Sequence, residues 1–326
     1  MADLAHYAII GAGIAGLSAL QVLSAAGHQA TVFDKSRGSG GRMATKKLAA
    51  DSWDMGAQFF HAHSNEFATQ LSQWQQQGVI AEWPVTPWVI NGTRQHPSAD
   101  DQKRYVAIPR MTALSRLLLQ NATHFEANTR ITGCEETAQG WQVTASEGEI
   151  FGLYDGLVVA IPPAQAAALA SNDPALAVTS ETSMLPCWTL LLSFDTPLPA
   201  PYDAAFVKSG PLAWVSRNNS KPGREATEAW VIQASHLWSL QHQDTPRHEI
   251  QKQLLAAFAE ALRLPAVPQW RHLWLHRWLY ALPEKKMNQG FQLNAQQTLA
   301  ICGDWLHSPN IEGAWLSGRA AANALL

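Results

Sequence analysis

The chain has 326 residues, of which 47% are apolar and 15% charged, and its formal net charge is −3. That is enough chain for a substantial core in two lobes, in the composition range of an ordinary globular protein. With so little net charge and no Lys/Arg run longer than two residues, nucleic acid and acidic membrane surfaces are poor partners.

Cysteine use and the N-terminus narrow the class further. Cys134, Cys187 and Cys302 are far apart and form no C-x-x-C pair, which argues against a redox disulfide or a zinc ribbon and for buried thiols in a reducing compartment. The first residues carry Asp3 and no cationic segment, and the apolar run that follows is broken by glycines, unlike a signal peptide. Leu157 to Ala170 is the nearest approach to a membrane span, and Pro162-Pro163 interrupts it. A cytoplasmic protein is expected.

In chain order, the first unit is Ala8-Ile9-Ile10-Gly11-Ala12-Gly13-Ile14-Ala15-Gly16, followed by a Leu/Ala-rich helical pattern and then Thr31-Val32-Phe33-Asp34. An apolar strand, a G-x-G-x-x-G turn, a helix and a second strand ending in an acid together predict a dinucleotide-binding βαβ unit. Gly11 permits the sharp turn, Gly13 lets a pyrophosphate approach the backbone, and Gly16 lets helix and strand pack closely. The helix N-terminus offers free N–H groups and a partial positive charge. Asp34 stands eighteen residues after Gly16, where its carboxylate would accept both ribose hydroxyls and repel a 2′-phosphate. FAD or NAD is therefore expected, and not NADP.

A glycine-rich loop with one cation comes next, Lys35-Ser36-Arg37-Gly38-Ser39-Gly40-Gly41-Arg42-Met43, and then Trp53-Asp54-Met55-Gly56-Ala57-Gln58-Phe59-Phe60. This D-K-x(4)-G-G-R-M stretch followed by D-x-G-A-Q-F resembles the flavin-containing amine oxidase superfamily, and within it most resembles the renalase branch. The resemblance implies that Lys35 and the Gly41-Arg42-Met43 loop wrap the cofactor, with the guanidinium of Arg42 on the pyrophosphate or flavin side. It also implies that Gly56, Ala57, Gln58 and Phe59 approach the isoalloxazine. Gln58 is a candidate to hydrogen-bond flavin or substrate; the alternative is a turn amide facing water.

Residues 65–78 have helical spacing and end at Gly78. Trp83 to Tyr105, with a hairpin signal at Asn91-Gly92, is read as an excursion into the second lobe. The segment from Tyr105 to Leu114 resembles the family's return, a short strand entering a helix; Arg110 stands where the family commonly has a small residue and is given no role. Strands are expected at Phe125 to Thr132, at Trp141 to Thr144 and at Leu157 to Ile161, the last ending in Pro162-Pro163, and the resemblance places the backbone of Thr129, Arg130 and Ile131 against the adenine.

Beyond residue 165 the pattern becomes that of an antiparallel sheet, with strands near Trp188 to Phe194, Leu212 to Ser216 and Glu228 to Ala234. A covering helix is expected from Pro246 to Leu262, with Thr245 as its cap. In the segment from His272 to Tyr280, a period of two puts His272, Trp274, His276, Trp278 and Tyr280 on one face. Such a face suits a pocket wall for a flat polar heterocycle, with His276, Trp278 and Tyr280 as candidate catalytic residues. No carboxylate completes a metal-ligand set there. Leu299 to Trp305 and Asn310 to Gly318 resemble the flavoprotein G-D…E-G-A…S-G signature. By that resemblance Gly303 and Asp304 meet the ribityl or pyrophosphate, and Glu312, Gly313 and Ala314 open a last helix toward the flavin.

The fold expected is α/β: a Rossmann-type FAD-binding domain from residues 1–82, 105–165 and 291–326, and a smaller α+β substrate domain from 83–104 and 166–290, built on an antiparallel sheet. The resemblance implies a noncovalent FAD and an oxidase of 2- or 6-dihydro isomers of NAD(P)H, passing hydride to flavin N5 and making hydrogen peroxide from O2. Two alternatives stay open: an amine or amino-acid oxidase, for which Lys285 and Lys286 are candidate lysines, and a nonenzymatic FAD or NAD sensor.

Overall fold

A computed structural model describes residues 4–171, 173–177, 179, 182–285 and 287–326. Asp3 and Lys286 lie outside them. The apolar strand His6–Ile10 sits at the centre of a six-stranded sheet, flanked by Gly156–Val159 on one side and Gln29–Asp34 on the other, all parallel. Strands Leu299–Cys302 and His124–Ala127 extend the parallel sheet outward, and Phe291–Leu293 adds an antiparallel edge. Parallel strands are buried on both faces, which is why Ala8, Ile9, Val32, Val158 and Ala300 are all at or near zero exposure. This is the Rossmann arrangement.

Two helices cover one face by unusually close approach. A methyl on Gly318, in the last helix (Ile311–Asn323), would overlap the Ala15 carbonyl of the first helix (Ile14–Ala25). Ser18 Oγ also donates to the Trp315 carbonyl at 2.5 Å. The small residues in both helices are thus what lets the chain's two ends pack together.

A seven-stranded sheet runs in the order His272–Pro283, Met184–Phe194, Glu228–Ala234, Leu212–Arg217, Ala204–Val207, Trp88–Asn91, Arg94–Pro97. The hairpin at Asn91-Gly92 joins this sheet through the Ala204–Val207 strand. The helix Arg247–Ala261 covers it with Ile250, Leu254 and Phe258. Pro246 is the residue before that helix and not its first turn, one position later than expected. The single strand expected from Phe125 to Thr132 is two. Asn128 has φ +57°, and there the chain leaves the parallel sheet for a three-stranded antiparallel one made of Ile131–Thr137, Gly140–Ala145 and Ile150–Tyr154.

Candidate active site

A cavity of about 950 Å³ lies where the two large sheets meet, at the upper end of the size range of ligand pockets. One end is built by the G-x-G-x-x-G turn. Gly11 has φ +107°, and a side chain there would come within 2.6 Å of the Ala160 carbonyl. Above Gly13 nothing lies within 4 Å of where a Cβ would be, so its missing side chain leaves open cavity. The first helix has no side-chain cap, and Ile14 and Ala15 of its first turn line the cavity; its orphan N–H groups are an anion site. Asp34 accepts the Ala12 amide at 2.9 Å and the Ser36 amide at 2.8 Å. Each of its oxygens retains a lone pair for a hydroxyl. Cavity size, the open space over Gly13 and this donor set fit an adenine dinucleotide.

Two expected contacts at this end are corrected. Ala12 and Gly16 do not reach the cavity. Ala12 holds Asp34 through its amide, and a methyl on Gly16 would overlap the Gly11 carbonyl, so both act by shaping the turn.

The Gly-Gly-Arg loop folds across the cavity with Gly41, Arg42 and Met43 at its lining, opposite Lys35, Arg130 and Ile131. Arg42 is bidentate on Asp304, at 2.7 and 2.5 Å, and also donates to the Ala281 carbonyl at 3.2 Å. The guanidinium therefore ties the N-terminal loop to the Gly303-Asp304 turn and to the strand His272–Pro283.

Met55, Gly56, Ala57 and Phe59 form the next wall. Gln58 does not; neither a flavin contact nor a water-facing amide describes it. It is buried, donating to the Asp54 and Gly56 carbonyls at 2.5 and 2.9 Å and accepting from Ser216 Oγ and Lys221 Nζ at 2.9 and 3.0 Å. Its amide is consumed inside the protein because the chain turns back on itself over Gly56.

The last wall is the strand His272–Pro283. His276, Trp278 and Tyr280 line the cavity, and His276 and Trp278 meet edge to face at 4.6 Å. Trp278 Nε1 donates to the Met55 carbonyl at 3.1 Å, which seats the indole over Gly56. Burial, with the nearby charges of Arg247 and Lys46, lowers the pKa of His276, so its imidazole is neutral at pH 7. The other two residues of the expected face do not contribute. His272 is bonded to buried Asp51 at 2.8 Å, and Trp274, 38% exposed, lies under the Lys46 ammonium. The strand outruns the cavity.

At the final helix, Gly313 is also corrected. Its N–H donates to the Asn310 side chain at 2.7 Å, a methyl on it would overlap the Ser308 carbonyl, and it does not line the cavity. Glu312 and Ala314 do, with Ile311. Glu312 accepts the His63 and Ser64 amides at 2.9 and 2.7 Å.

Among the cavity residues that sequence reading missed are the polar side chains of His61, His63, Gln233 and His236. Gln233 lies on the strand Glu228–Ala234 in register with Thr189 and Trp214, and no motif marks it. Among the described residues no group of His, Cys, Asp and Glu could hold a metal ion. Cys187 and Cys302 do line the cavity, but burial pushes both thiols up to about 12 and Cys134 up to about 11. Alkylation at pH 8 is therefore expected to modify no cysteine in the native protein and all three in denaturant, read by intact mass.

With this geometry in view, comparison with known proteins is specific. The model of the NAD(P)-binding Rossmann-like domain matches residues 9–73, and that of the flavin containing amine oxidoreductases matches residues 100–326. The chain belongs to the flavin-containing amine oxidoreductase family. The family's flavin and the Rossmann unit together imply FAD as its cofactor.

Similar solved structures include a protein assigned as a protoporphyrinogen oxidase from Exiguobacterium sp. 255-15, with TM-score 0.77, 9% identity and 98% of each chain covered. A putrescine oxidase bound to putrescine gives 0.75, at 13% identity and the same coverage. At those identities the likeness is one of fold. The L-amino-acid oxidase of Gloydius blomhoffii is 50% identical over 48 residues, which is 15% of this chain and 10% of that protein. No described helix is long and apolar enough to cross a membrane.

Proposed function

We propose that this chain is a renalase-like oxidase, acting on 2- or 6-dihydro isomers of NAD(P)H with noncovalently held FAD. When bound, FAD supplies a two-electron acceptor for the substrate's hydride and returns the electrons to O2, giving hydrogen peroxide. The observation that carries the reading is the charge inventory of the cavity. Among the described residues its carboxylates are Asp34, Asp304 and Glu312, and each is already held by backbone amides or by Arg42.

The wall of His276, Trp278, Tyr280 and Gln233 is therefore neutral. An ammonium substrate finds no counter-ion on it, whereas a flat dihydropyridine finds an indole to lie against. The neutral imidazole of His276 offers one donor and one acceptor to a carboxamide. Gln233 donates to the Gly56 carbonyl at 2.7 Å and keeps its own oxygen for the same group. Hydride transfer asks little more of the protein than this orientation at close range.

On the dinucleotide side, Asp34 holds the ribose, Gly13 and the first helix's N–H groups take the pyrophosphate, and Arg130 and Ile131 flank the adenine. Arg42, locked on Asp304, sets the Gly-Gly loop around the cofactor, and the turn at Gly303 meets the ribityl chain.

The second reading is an amine or amino-acid oxidase. The relatives named above favour it, although the Arg277 guanidinium is engaged elsewhere, donating to the Gln243 carbonyl and lying over the Trp188 ring. Lys285 does not line the cavity.

The test is anaerobic mixing of the yellow protein with 2- and 6-dihydro-NAD(P), ordinary NADH, putrescine and amino acids while flavin absorbance is followed. Fast bleaching by a dihydro isomer alone is expected. Bleaching by amines or amino acids alone would replace this reading with the second.

A further inference from the structure

Behind the cavity wall lies a buried charge cluster of which only Asp54 stands in a sequence motif. The side chains of Asp54, Lys221 and Arg224 are each at most 1% exposed. Arg224 takes Asp54 Oδ2 at 3.1 Å from Nε and 2.5 Å from Nη2, while Asp54 Oδ1 accepts the Thr45 hydroxyl and the Met111 amide. One guanidinium thus already neutralises the one carboxylate. Lys221 is a second cation in the same enclosure, 3.5 Å from Asp54 Oδ2. A surplus buried charge weakens a fold, and an apolar side chain of like volume would pack there more favourably. Its use lies elsewhere.

The hydrogen bonds show where that charge is directed. Lys221 Nζ donates to Gln58 Oε1, and the Gln58 amide donates in turn to the carbonyls of Asp54 and Gly56. The Gly56 carbonyl also accepts from Gln233, and that of Met55 accepts from Trp278. The amides of Asp54, Met55 and Ala57 donate to Asn218 Oδ1, the Ala44 carbonyl and the Arg42 carbonyl. Every carbonyl from Asp54 to Gly56 therefore has a donor. Of the four amides from Asp54 to Ala57, only that of Gly56 has no acceptor among the described residues. Two hydrogen bonds, through one amide side chain, separate the Lys221 ammonium from a residue that lines the cavity.

We propose that Lys221 is a positioning residue for the flavin: through Gln58 it locks the Asp54–Ala57 segment against the cofactor cavity and brings a buried positive charge that raises the reduction potential of bound FAD. A fixed cation near a flavin favours its electron-rich reduced form. This holds whatever the substrate is. The groups that face Lys221 are Asp54, Arg224, Asn218, Gln58 and, at 5.4 Å, the ring of Trp83. Burial, opposed by Asp54 and helped by Arg224, brings the amine down to about 8. Because the unfolded amine titrates near 10.5, the charged form weakens the fold below pH 8, and that penalty is relieved as pH rises from 8 toward 10.5.

The experiment compares midpoint potentials of the wild-type, Lys221→Met and Lys221→Arg holoproteins against reference dyes at pH 7 and pH 9.5. At pH 7 Lys221→Met is expected to lie at a more negative potential, with its visible bands displaced and its melting temperature not reduced. Lys221→Arg restores the wild-type value. At pH 9.5 the wild type loses its charge, so the gap to Lys221→Met closes and a gap to Lys221→Arg opens. A wild-type potential and spectrum in Lys221→Met at pH 7 would overturn the proposal. Should Lys221→Met fail to retain FAD, the wild type and Lys221→Arg decide: no gap between them at pH 9.5 overturns it as well.

Discussion

Trp278→Ala is expected to leave a yellow protein whose flavin is reduced by substrate on the order of 10²-fold more slowly, the scale of a misplaced reacting group. The indole is held at its rim by the Met55 carbonyl and on its edge by His276, so it is an oriented surface rather than filler. Its loss would remove the plane against which the proposed flat substrate lies. FAD retention should change little, because the pyrophosphate and ribose contacts proposed above come from Gly13, the first helix and Asp34, all in the other half of the structure. Anaerobic stopped-flow reduction, with FAD content read from the visible spectrum of the same sample, separates the two effects. Equal loss of reduction and of bound FAD would make Trp278 a packing residue.

Two glycines of the cavity lining are expected to fail in opposite ways. Gly56→Ala puts a methyl into the Arg42 carbonyl and within 3.2 Å of Trp278 Cζ2. The Arg42 backbone cannot yield without disturbing its bond from the Ala57 amide and the guanidinium's grip on Asp304. The protein should lose about 3 kcal/mol or more together with its FAD. At Gly13 a methyl meets no protein atom within 4 Å, and the residue's φ of −79° suits any side chain. Gly13→Ala is therefore expected to melt as the wild type does in the FAD-free form but to bind FAD far more weakly, since the methyl occupies the space a pyrophosphate would take. Melting curves and FAD titrations of both apoproteins check this. Undiminished FAD affinity in Gly13→Ala would move the pyrophosphate away from the G-x-G-x-x-G turn.

The cofactor end of the site was legible because it is local. Gly11, Gly13, Ile14, Ala15 and Asp34 fall within one βαβ unit, where backbone geometry is dictated by residues a few positions away and glycine is required for stated steric reasons. The Arg42 and Asp304 segments were also visible as motifs, though their mutual pairing was not, since 262 positions separate them. Misplacement came where a motif residue does its work inward. Ala12, Gly16 and Gly313 shape turns and helix contacts, and Gln58 carries a polar side chain that any surface-based reading would turn toward ligand or water. Alternation along the strand from His272 found the face that includes His276, Trp278 and Tyr280. It did not show where that face leaves the cavity, because period two reports the side of a sheet and not what lies opposite it.

By itself, then, the order of residues determined the Rossmann half, the flavin class and the alternation of the sheet that faces it, all consequences of short-range backbone sterics and apolar period. Only the tertiary structure decided that His61, His63, Gln233 and His236 share the cavity with Trp278, and that Lys221, Arg224 and Asp54 form a buried cluster behind Gly56. These residues come from strands and loops far apart in the chain, and apart from Trp278 and Asp54 none is marked by its own segment. Burial is what made them informative. A lysine on an exposed turn is a solvated charge, whereas the same lysine enclosed with one carboxylate and one arginine must give its charge to something, and the hydrogen bonds lead to the cavity wall.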